Sequence, residues 1–145
     1  TAQVRHFSRL FVTAASVTVP WITVVLRKGY GLGAQAMAGG SFHAKDSIVA
    51  WPTGEFGGMG LEGAVRLGFK KELDAMPSAA ERDALEQRLI AGAYERGSAL
   101  SMASHTESDN VIDPAHTRTH ILGVLTARPT PQPRTGKKRP MVDAW

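Results

Sequence analysis

Apolar side chains recur along the first third of the chain with two different spacings. Residues 2–17 place them at helical intervals, which predicts an amphipathic helix. Residues 21–26 form a short run rich in β-branched side chains, which is typical of a strand buried on both faces. A glycine-rich loop follows over residues 29–33, and the small, unbranched side chains from Ala34 onward predict a helix.

The same order of elements then follows a second time. Residues 47–51 form another apolar run, which ends at Pro52 because proline cannot donate a hydrogen bond to a sheet ladder. A second glycine-rich loop spans residues 54–60. The helical spacing of residues 61–69 predicts the helix that completes this unit, with Glu62 in its first turn.

The rest of the chain extends this alternation of strands and helices. A helix is predicted over residues 79–96 and ends at Gly97, and residues 111–125 predict a last short strand and helix around Asp113-Pro114. Short strands that alternate with helices are typical of an α/β domain. With 145 residues, of which 43% are hydrophobic and 21% charged, we expect one compact domain.

Charge is unevenly divided between the body of the chain and its end. The formal net charge is +4, and residues 128–145 supply all of it, since residues 1–127 carry equal numbers of basic and acidic side chains. This end is also rich in proline, which predicts a domain over residues 1–127 and a solvated, basic, Pro-rich tail over residues 128–145. An anionic partner for the tail is the alternative, but the neutral body indicates no nucleic-acid partner.

Composition excludes several kinds of site. The chain has no Cys, so disulfides, zinc–thiolate sites, iron–sulfur clusters and thiol nucleophiles are excluded. Its longest apolar run, residues 19–26, is far shorter than the ~20 residues of a membrane-spanning helix. The chain begins at Thr1 without a secretory leader, so we expect a cytoplasmic location and a longer parent protein.

The two glycine-rich loops are the candidate sites. Residues 29–34 fit the G-x-G-x-x-A dinucleotide pattern, but the acidic residue required at the end of the next strand is missing, since that strand ends at Trp51. Neither loop carries the Gly-Lys-Ser/Thr sequence of a phosphate loop. Both place backbone N–H groups at a helix N-terminus, which is the chemistry of an oxyanion hole. The alternative is that these glycines only permit tight turns and close packing.

The side chains themselves suggest no catalytic group. His116 and His120 lie one helical turn apart but without an acidic ligand pattern, so no metal site is expected. Ser41 and Ser47 lie in no Gly-x-Ser-x-Gly sequence. Any chemistry therefore depends on backbone dipoles and on a reactive cofactor or substrate.

Several runs of the chain match one family pattern when they are taken together. They are residues 19–31 (VPWITVVLRKGYG), 50–53 (AWPT), 59–65 (MGLEGAV) and 111–114 (VIDP). With them, the chain resembles the carboxyltransferase component of biotin-dependent acyl-CoA carboxylases from about residue 4 to residue 125. The resemblance implies a crotonase-like β-β-α spiral of the ClpP/crotonase superfamily, an α/β fold of which this chain is a partial C-terminal subdomain in the second half of the enzyme.

The resemblance also implies a division of labour. The first half of such an enzyme holds the acyl-CoA, and this half receives carboxybiotin from a carrier domain, the two halves meeting across a subunit interface. Carboxybiotin releases carbon dioxide, the ureido anion takes the α-proton of the acyl-CoA, and the enolate attacks the carbon dioxide. ATP, Mg and bicarbonate are needed only at the partner biotin carboxylase. We expect a dimer-based homo-oligomer, up to a hexamer, and a segment that is inactive alone.

Site residues follow from the same resemblance. The amides around Leu32 and Gly33 correspond to the oxyanion hole for the biotin ureido oxygen, with Gly31 shaping the turn. The commoner family form is Gly-Gly-Ala-Tyr, so Leu32 replaces a glycine and Ala34 replaces a tyrosine. Gln35 falls where acyl-chain preference is influenced. Because Ala34 leaves extra room, the sequence predicts an acyl-CoA larger than acetyl-CoA.

The second strand–loop–helix unit adds four further candidates. Trp51 and Pro52 match a Trp-Pro pair that shapes the pocket wall, and Met59 and Gly60 begin the second helix. A core role is the alternative for each pair. For Glu62, the better interpretation is a carboxylate stabilised by the helix dipole rather than a general acid.

Two other functions remain open at the level of sequence. The same site run in the opposite direction would make the protein a decarboxylase or transcarboxylase. A non-catalytic module that assembles subunits and docks the carrier domain is the third hypothesis.

Overall fold

The structure is a computed structural model that describes residues 3–43, 46–130, 132–133 and 135–136. Within these residues the chain alternates short strands with helices. In chain order the elements are α1 (Gln3–Ser16), β1 (Ile22–Val25), β2 (Lys28–Tyr30), α2 (Gly31–Met37), β3 (Ser47–Ala50), β4 (Glu55–Gly57), α3 (Leu61–Gly68), α4 (Lys70–Asp74), α5 (Ala79–Arg96), α6 (Ala99–Ser104), β5 (Asn110–Val111), a 3₁₀ turn (Pro114–His116) and α7 (Thr117–Ala127).

The strands form two parallel sheets. The larger has the order β1-β3-β5, with Ile22 opposite Ser47 and Val49 opposite Asn110. The smaller pairs β2 with β4, with Lys28 opposite Glu55. All four residues of β3 are buried, as expected for a strand covered on both faces. The chain therefore makes the same strand–strand–helix unit twice, which agrees with the predicted α/β class.

The predicted elements differ from the structure mainly in the glycine-rich loops. Both were expected to be irregular, but β2 and β4 occupy parts of them. Glycine has low strand propensity, so the sequence gives little sign of strands that form by pairing with each other. Helix α2 also begins at Gly31, three residues earlier than predicted, whereas α5 covers the predicted residues and Ser78 caps its first turn.

The core lies where the two sheets and α6 meet. Its buried members include Val25, Ala50, Phe56 and Ala99. Phe42 packs against this cluster, and its ring meets that of Phe56 edge-on at 5.5 Å between centroids. Large side chains from both sheets thus meet small ones, which keeps β3 and β4 close to α6.

The junction between α5 and α6 lies directly against β4. The Phe56 N–H donates to the Gly97 carbonyl at 2.7 Å, and the Ala99 N–H donates to the Gly54 carbonyl at 2.8 Å. A Cβ at Gly97 would lie far inside van der Waals contact with the Phe56 carbonyl oxygen. Only glycine therefore allows the two backbones to approach so closely.

Helix α7 is fastened to the larger sheet by side-chain hydrogen bonds. The Trp51 indole N–H donates to Thr117 Oγ1 at 3.0 Å, and Ser47 Oγ lies 2.9 Å from His120 Nε2. Helix α7 ends at Ala127, and residues 131, 134 and 137–145 of the predicted tail lie outside the described residues. In the part of the chain that is described, no helix has the length and hydrophobicity needed to cross a bilayer.

A pair of glycine-to-alanine substitutions tests the tight junction at Gly97. Gly97→Ala forces the α5–α6 junction away from β4, and we expect the free energy of unfolding to fall by about 1–3 kcal/mol. Gly123→Ala is the matched control, because an added Cβ there contacts no atom of the described part of the chain within 4 Å. Because Gly123 lies in the middle of α7, where alanine has the higher helix propensity, we expect this substitution to raise the free energy of unfolding by about 0.5–1 kcal/mol. Urea denaturation measures both changes, and equal effects would contradict the assignment.

Candidate active site

The turn between β2 and α2 is the most constrained part of the candidate site. Gly31 has φ +61°, a left-handed conformation that side-chain-bearing residues rarely adopt. A Cβ on Gly31 would lie 2.7 Å from the Gly58 carbonyl oxygen. The two glycine-rich segments therefore touch backbone to backbone, and the structure brings the candidate residues at Gly31 close to the segment that leads to Met59 and Gly60.

The first turn of α2 is open around its backbone. Tyr30 precedes it in extended conformation, and among the described residues no side chain caps the helix. Among the described residues, no atom lies within 4 Å of a Cβ added at Gly33, and Leu32 is 67% exposed. Because the first amides of a helix have no intrahelical acceptor, this turn can offer N–H groups to a negatively charged atom.

A groove lies beside this turn. It has a volume of about 390 Å³ and is lined by residues 23–29, Ala34, Met37 and Phe42. The lining is apolar along most of β1, while Arg27 and Lys28 bring positive charge to it. Of the two residues predicted to influence acyl-chain preference, Ala34 lines the groove. Gln35 is half-buried outside that lining, and its backbone carbonyl accepts a hydrogen bond from the Gly40 N–H at 2.8 Å.

The candidates of the second loop lie in different surroundings. Trp51 continues the pairing of β3 with β1, since its N–H donates to the Val25 carbonyl at 3.0 Å, and its indole N–H donates to Thr117. Pro52 is exposed. Gly60 is the N-cap of α3, and Met59 beside it is 44% exposed. Trp51 therefore anchors α7, and the pocket-wall role of Trp51 and Pro52 stays a prediction.

Two phenol–carboxylate hydrogen bonds lie next to these loops. Tyr30 donates to Glu55 Oε2 at 2.6 Å, and Tyr94 donates to Glu62 Oε1 at 2.5 Å. The Arg27 Nε–H also donates to Glu55, at 3.2 Å. The Tyr30–Glu55 pair could not be predicted from the sequence, because the two residues are far apart in the chain. The register of β2 with β4 would have shown it, but these strands were not predicted.

Each pair shifts the pKa values of its two members. Burial raises the pKa of Tyr30 well above its usual range, and the hydrogen bond to Glu55 adds to this effect. The same hydrogen bond lowers the pKa of Glu55, with a further contribution from Arg27. The hydrogen bond between Tyr94 and Glu62 raises the pKa of the phenol and lowers that of the carboxyl group. Both pairs therefore consist of a neutral phenol and a carboxylate at neutral pH.

Comparison with known proteins finds one matching family and several similar proteins. The family described as the carboxyl transferase domain matches residues 3–140. The methylmalonyl-CoA carboxyltransferase 12S subunit of Propionibacterium freudenreichii subsp. shermanii is 37% identical over 140 residues, which cover 93% of this chain and 25% of that protein. The biotin-dependent acetyl-/propionyl-coenzyme A carboxylase beta6 subunit of Mycobacterium bovis is 38% identical over 128 residues, covering 87% of this chain and 26% of that subunit.

A solved structure resembles the chain more closely in sequence. It is the structure of a single-chain, multi-domain long-chain acyl-CoA carboxylase, with 55% sequence identity and a TM-score of 0.71. The match covers 85% of this chain and 12% of the carboxylase chain. The chain thus spans about a quarter of the length of the two curated relatives.

The lowered pKa of Glu55 predicts a pH-dependent contribution to stability. A carboxyl group whose pKa is lower in the folded state stabilises the fold above its ordinary value of 4.5 and loses this effect as the pH falls through the lowered pKa. We expect Glu55→Gln to reduce the free energy of unfolding at neutral pH and to have a progressively smaller effect as the pH falls below 4.5. Urea denaturation at a series of pH values measures this, and a pH-independent difference would show that ionisation of Glu55 does not stabilise the fold.

Proposed function

Because this chain belongs to the carboxyl transferase domain family, we propose that it forms the biotin-facing part of a biotin-dependent acyl-CoA carboxyltransferase. One observation carries the proposal. Gly31 takes a left-handed conformation against the Gly58 carbonyl, Leu32 beside it is exposed, and a Cβ added at Gly33 would have free space among the described residues. A turn of this kind offers amides to an anionic oxygen without a side chain in the way.

We also propose a crotonase-like fold for the complete protein. The two strand–strand–helix units with their parallel sheets fit a crotonase-like β-β-α spiral, of which this chain is the C-terminal part. Since the chain spans about a quarter of its curated relatives, the remaining carboxyltransferase comes from sequence outside it, and the segment alone is inactive. We place residues 1–127 in the domain and residues 128–145 in the tail.

The residues of the first turn fit the biotin ring. Biotin, attached to a carrier domain, supplies the carboxyl group that is transferred to the α-carbon of the acyl-CoA. The Leu32 and Gly33 amides would hold the ureido oxygen and stabilise negative charge on it, and Gly31 gives the turn the conformation that would direct these amides. Met59 and Gly60 follow the Gly58 contact and would line the approach to this turn, and we keep Trp51 and Pro52 as predicted residues of the pocket wall.

The groove beside the turn fits an acyl chain longer than acetyl. Its lining is mainly apolar, and Ala34 leaves it wide where a tyrosine is common. Gln35 does not line this groove, and we keep it as a predicted influence on acyl-chain preference. The 55% identity to a long-chain acyl-CoA carboxylase supports the same conclusion.

The expected partners follow from this assignment. They are the first half of the carboxyltransferase, the biotin carboxyl carrier domain, and the biotin carboxylase that uses ATP, Mg and bicarbonate. The enzyme is a dimer-based homo-oligomer in the cytoplasm. Relatives that are subunits of carboxylases and of a carboxyltransferase support the assembly.

Two other functions have specific support. Transfer in the opposite direction, as a transcarboxylase or decarboxylase, is favoured by the 37% identity to the 12S carboxyltransferase subunit. A non-catalytic module for assembly and carrier docking is favoured by α2, where Leu32 and Met37 are 67% and 71% exposed.

A substitution at Gly33 separates catalysis from docking. In a hybrid where this chain replaces the matching quarter of the 12S subunit, Gly33→Val crowds the open amides, and we expect biotin-dependent transfer to fall about 10²–10³-fold. Binding of the carrier domain should persist. Gly33→Ala, whose Cβ meets nothing within 4 Å, is the milder control. Unchanged transfer in Gly33→Val would leave the docking module as the better assignment.

The acyl-chain groove gives a separate prediction. The unvaried hybrid should use longer acyl-CoA substrates better than acetyl-CoA, and Ala34→Tyr should lower kcat/KM for the longest chain about tenfold or more by filling the groove. Leu100→Tyr, at a side chain that is 74% exposed, is the control. Acetyl-CoA as the best substrate of the unvaried hybrid would contradict the assignment.

A further inference from the structure

We propose that Tyr30 and Glu55 are positioning residues, which hold the Gly31 turn in the orientation that carboxyl transfer requires. The inference rests on the function proposed above, and neither side chain is assigned contact with substrate or biotin. It follows from the position of Tyr30 directly before Gly31, from the backbone contacts that fix Glu55, and from comparison with a chemically matched pair that joins α3 to α5.

Tyr30 connects the turn to the smaller sheet. It is the last residue of β2 and the residue directly before Gly31, so any rotation of its backbone changes the direction of the amides that follow. Its phenol is half-buried and donates to Glu55 at 2.6 Å. Arg27, the residue directly before β2, donates from its guanidinium to the same carboxylate. One carboxylate therefore holds side chains at both ends of this three-residue strand.

Glu55 is itself fixed by backbone contacts on both sides. Its N–H donates to the Arg27 carbonyl at 2.6 Å, and it lies opposite Lys28 in the parallel pairing. On its other side it forms an antiparallel bridge with Ser98 at the start of α6. Only 16% of its side chain is exposed. The carboxylate is thus a rigid reference point to which the Tyr30 ring is bonded.

The Gly31 turn has little freedom to compensate for a displaced Tyr30. Its left-handed φ and its contact with the Gly58 carbonyl leave one close-fitting arrangement. Loss of the phenol hydroxyl leaves the fold of β2 in place but releases the ring that fixes the start of the turn. Because transfer rates fall steeply when catalytic groups shift by about 1 Å, we expect the rate to change more than substrate binding.

Tyr94 and Glu62 provide a matched control within the same chain. They also form a phenol–carboxylate hydrogen bond, at 2.5 Å, but it joins α5 to the first turn of α3. Removal of either phenol hydroxyl therefore deletes the same kind of bond. The two pairs are close enough to influence each other electrostatically, but only Tyr30 directly precedes Gly31 in the chain.

The test compares Tyr30→Phe with Tyr94→Phe in the hybrid carboxyltransferase described above. We expect Tyr30→Phe to lower kcat about 10- to 100-fold with KM for acyl-CoA changed less than about twofold. Tyr94→Phe should keep kcat within about twofold, although both variants lose a similar few degrees of thermal midpoint. Glu55→Gln retains an acceptor for the phenol, so its kcat should lie between those of the parent and Tyr30→Phe.

Two results would overturn the inference while leaving the proposed function intact. They are a Tyr30→Phe variant with the kcat of its parent, and an equal loss of kcat in both tyrosine variants. An inactive parent hybrid would count against the proposed function instead. In that case amide hydrogen exchange in the 145-residue chain decides the inference, since Tyr30→Phe should accelerate exchange in α2 and Tyr94→Phe should not. Equal exchange in both variants would overturn it.

Discussion

The parallel pairing of β2 with β4 is the constraint on which the candidate site depends. Each strand is only three residues long, yet their register places Lys28 opposite Glu55. Both strands therefore lead into glycine-rich turns at the same end of the smaller sheet. Gly31 then meets Gly58 backbone to backbone. Without this pairing, α2 and α3 would begin at unrelated positions, and the open amides of α2 would have no neighbouring loop.

Glycine and acidic residues have complementary roles in this arrangement. Glycines at positions 31 and 97 let backbones approach where any Cβ would collide, which brings β4 between β2 and the α5–α6 junction. Glu55 and Glu62 then accept hydrogen bonds from tyrosine phenols across the elements that the glycines have brought together. Close backbone contacts at the glycines thus fix the positions of these elements. The hydrogen bonds to the carboxylates fix how the elements are oriented.

Most helices and the main strands could be predicted from the sequence, because their information is local. The helical spacing of α1 and α5 and the β-branched run of β1 give regular structure whatever the partners. The short strands β2 and β4 could not be predicted, since glycine-rich segments carry no periodic pattern and become strands only by pairing. The helices α4 and α6 were not identified as separate elements either, because each is only one to two turns long.

For the site, the sequence by itself determined the glycine-rich turns, the absence of cysteine chemistry and the family pattern, since these depend on residue type and order. The tertiary structure alone decided that Gly31 lies against Gly58, that Ala34 but not Gln35 lines the groove, and that Trp51 is bonded to α7. It also decided the partner of Tyr30. These facts depend on contacts between residues far apart in the chain, and such contacts exist only once the two sheets have paired and packed.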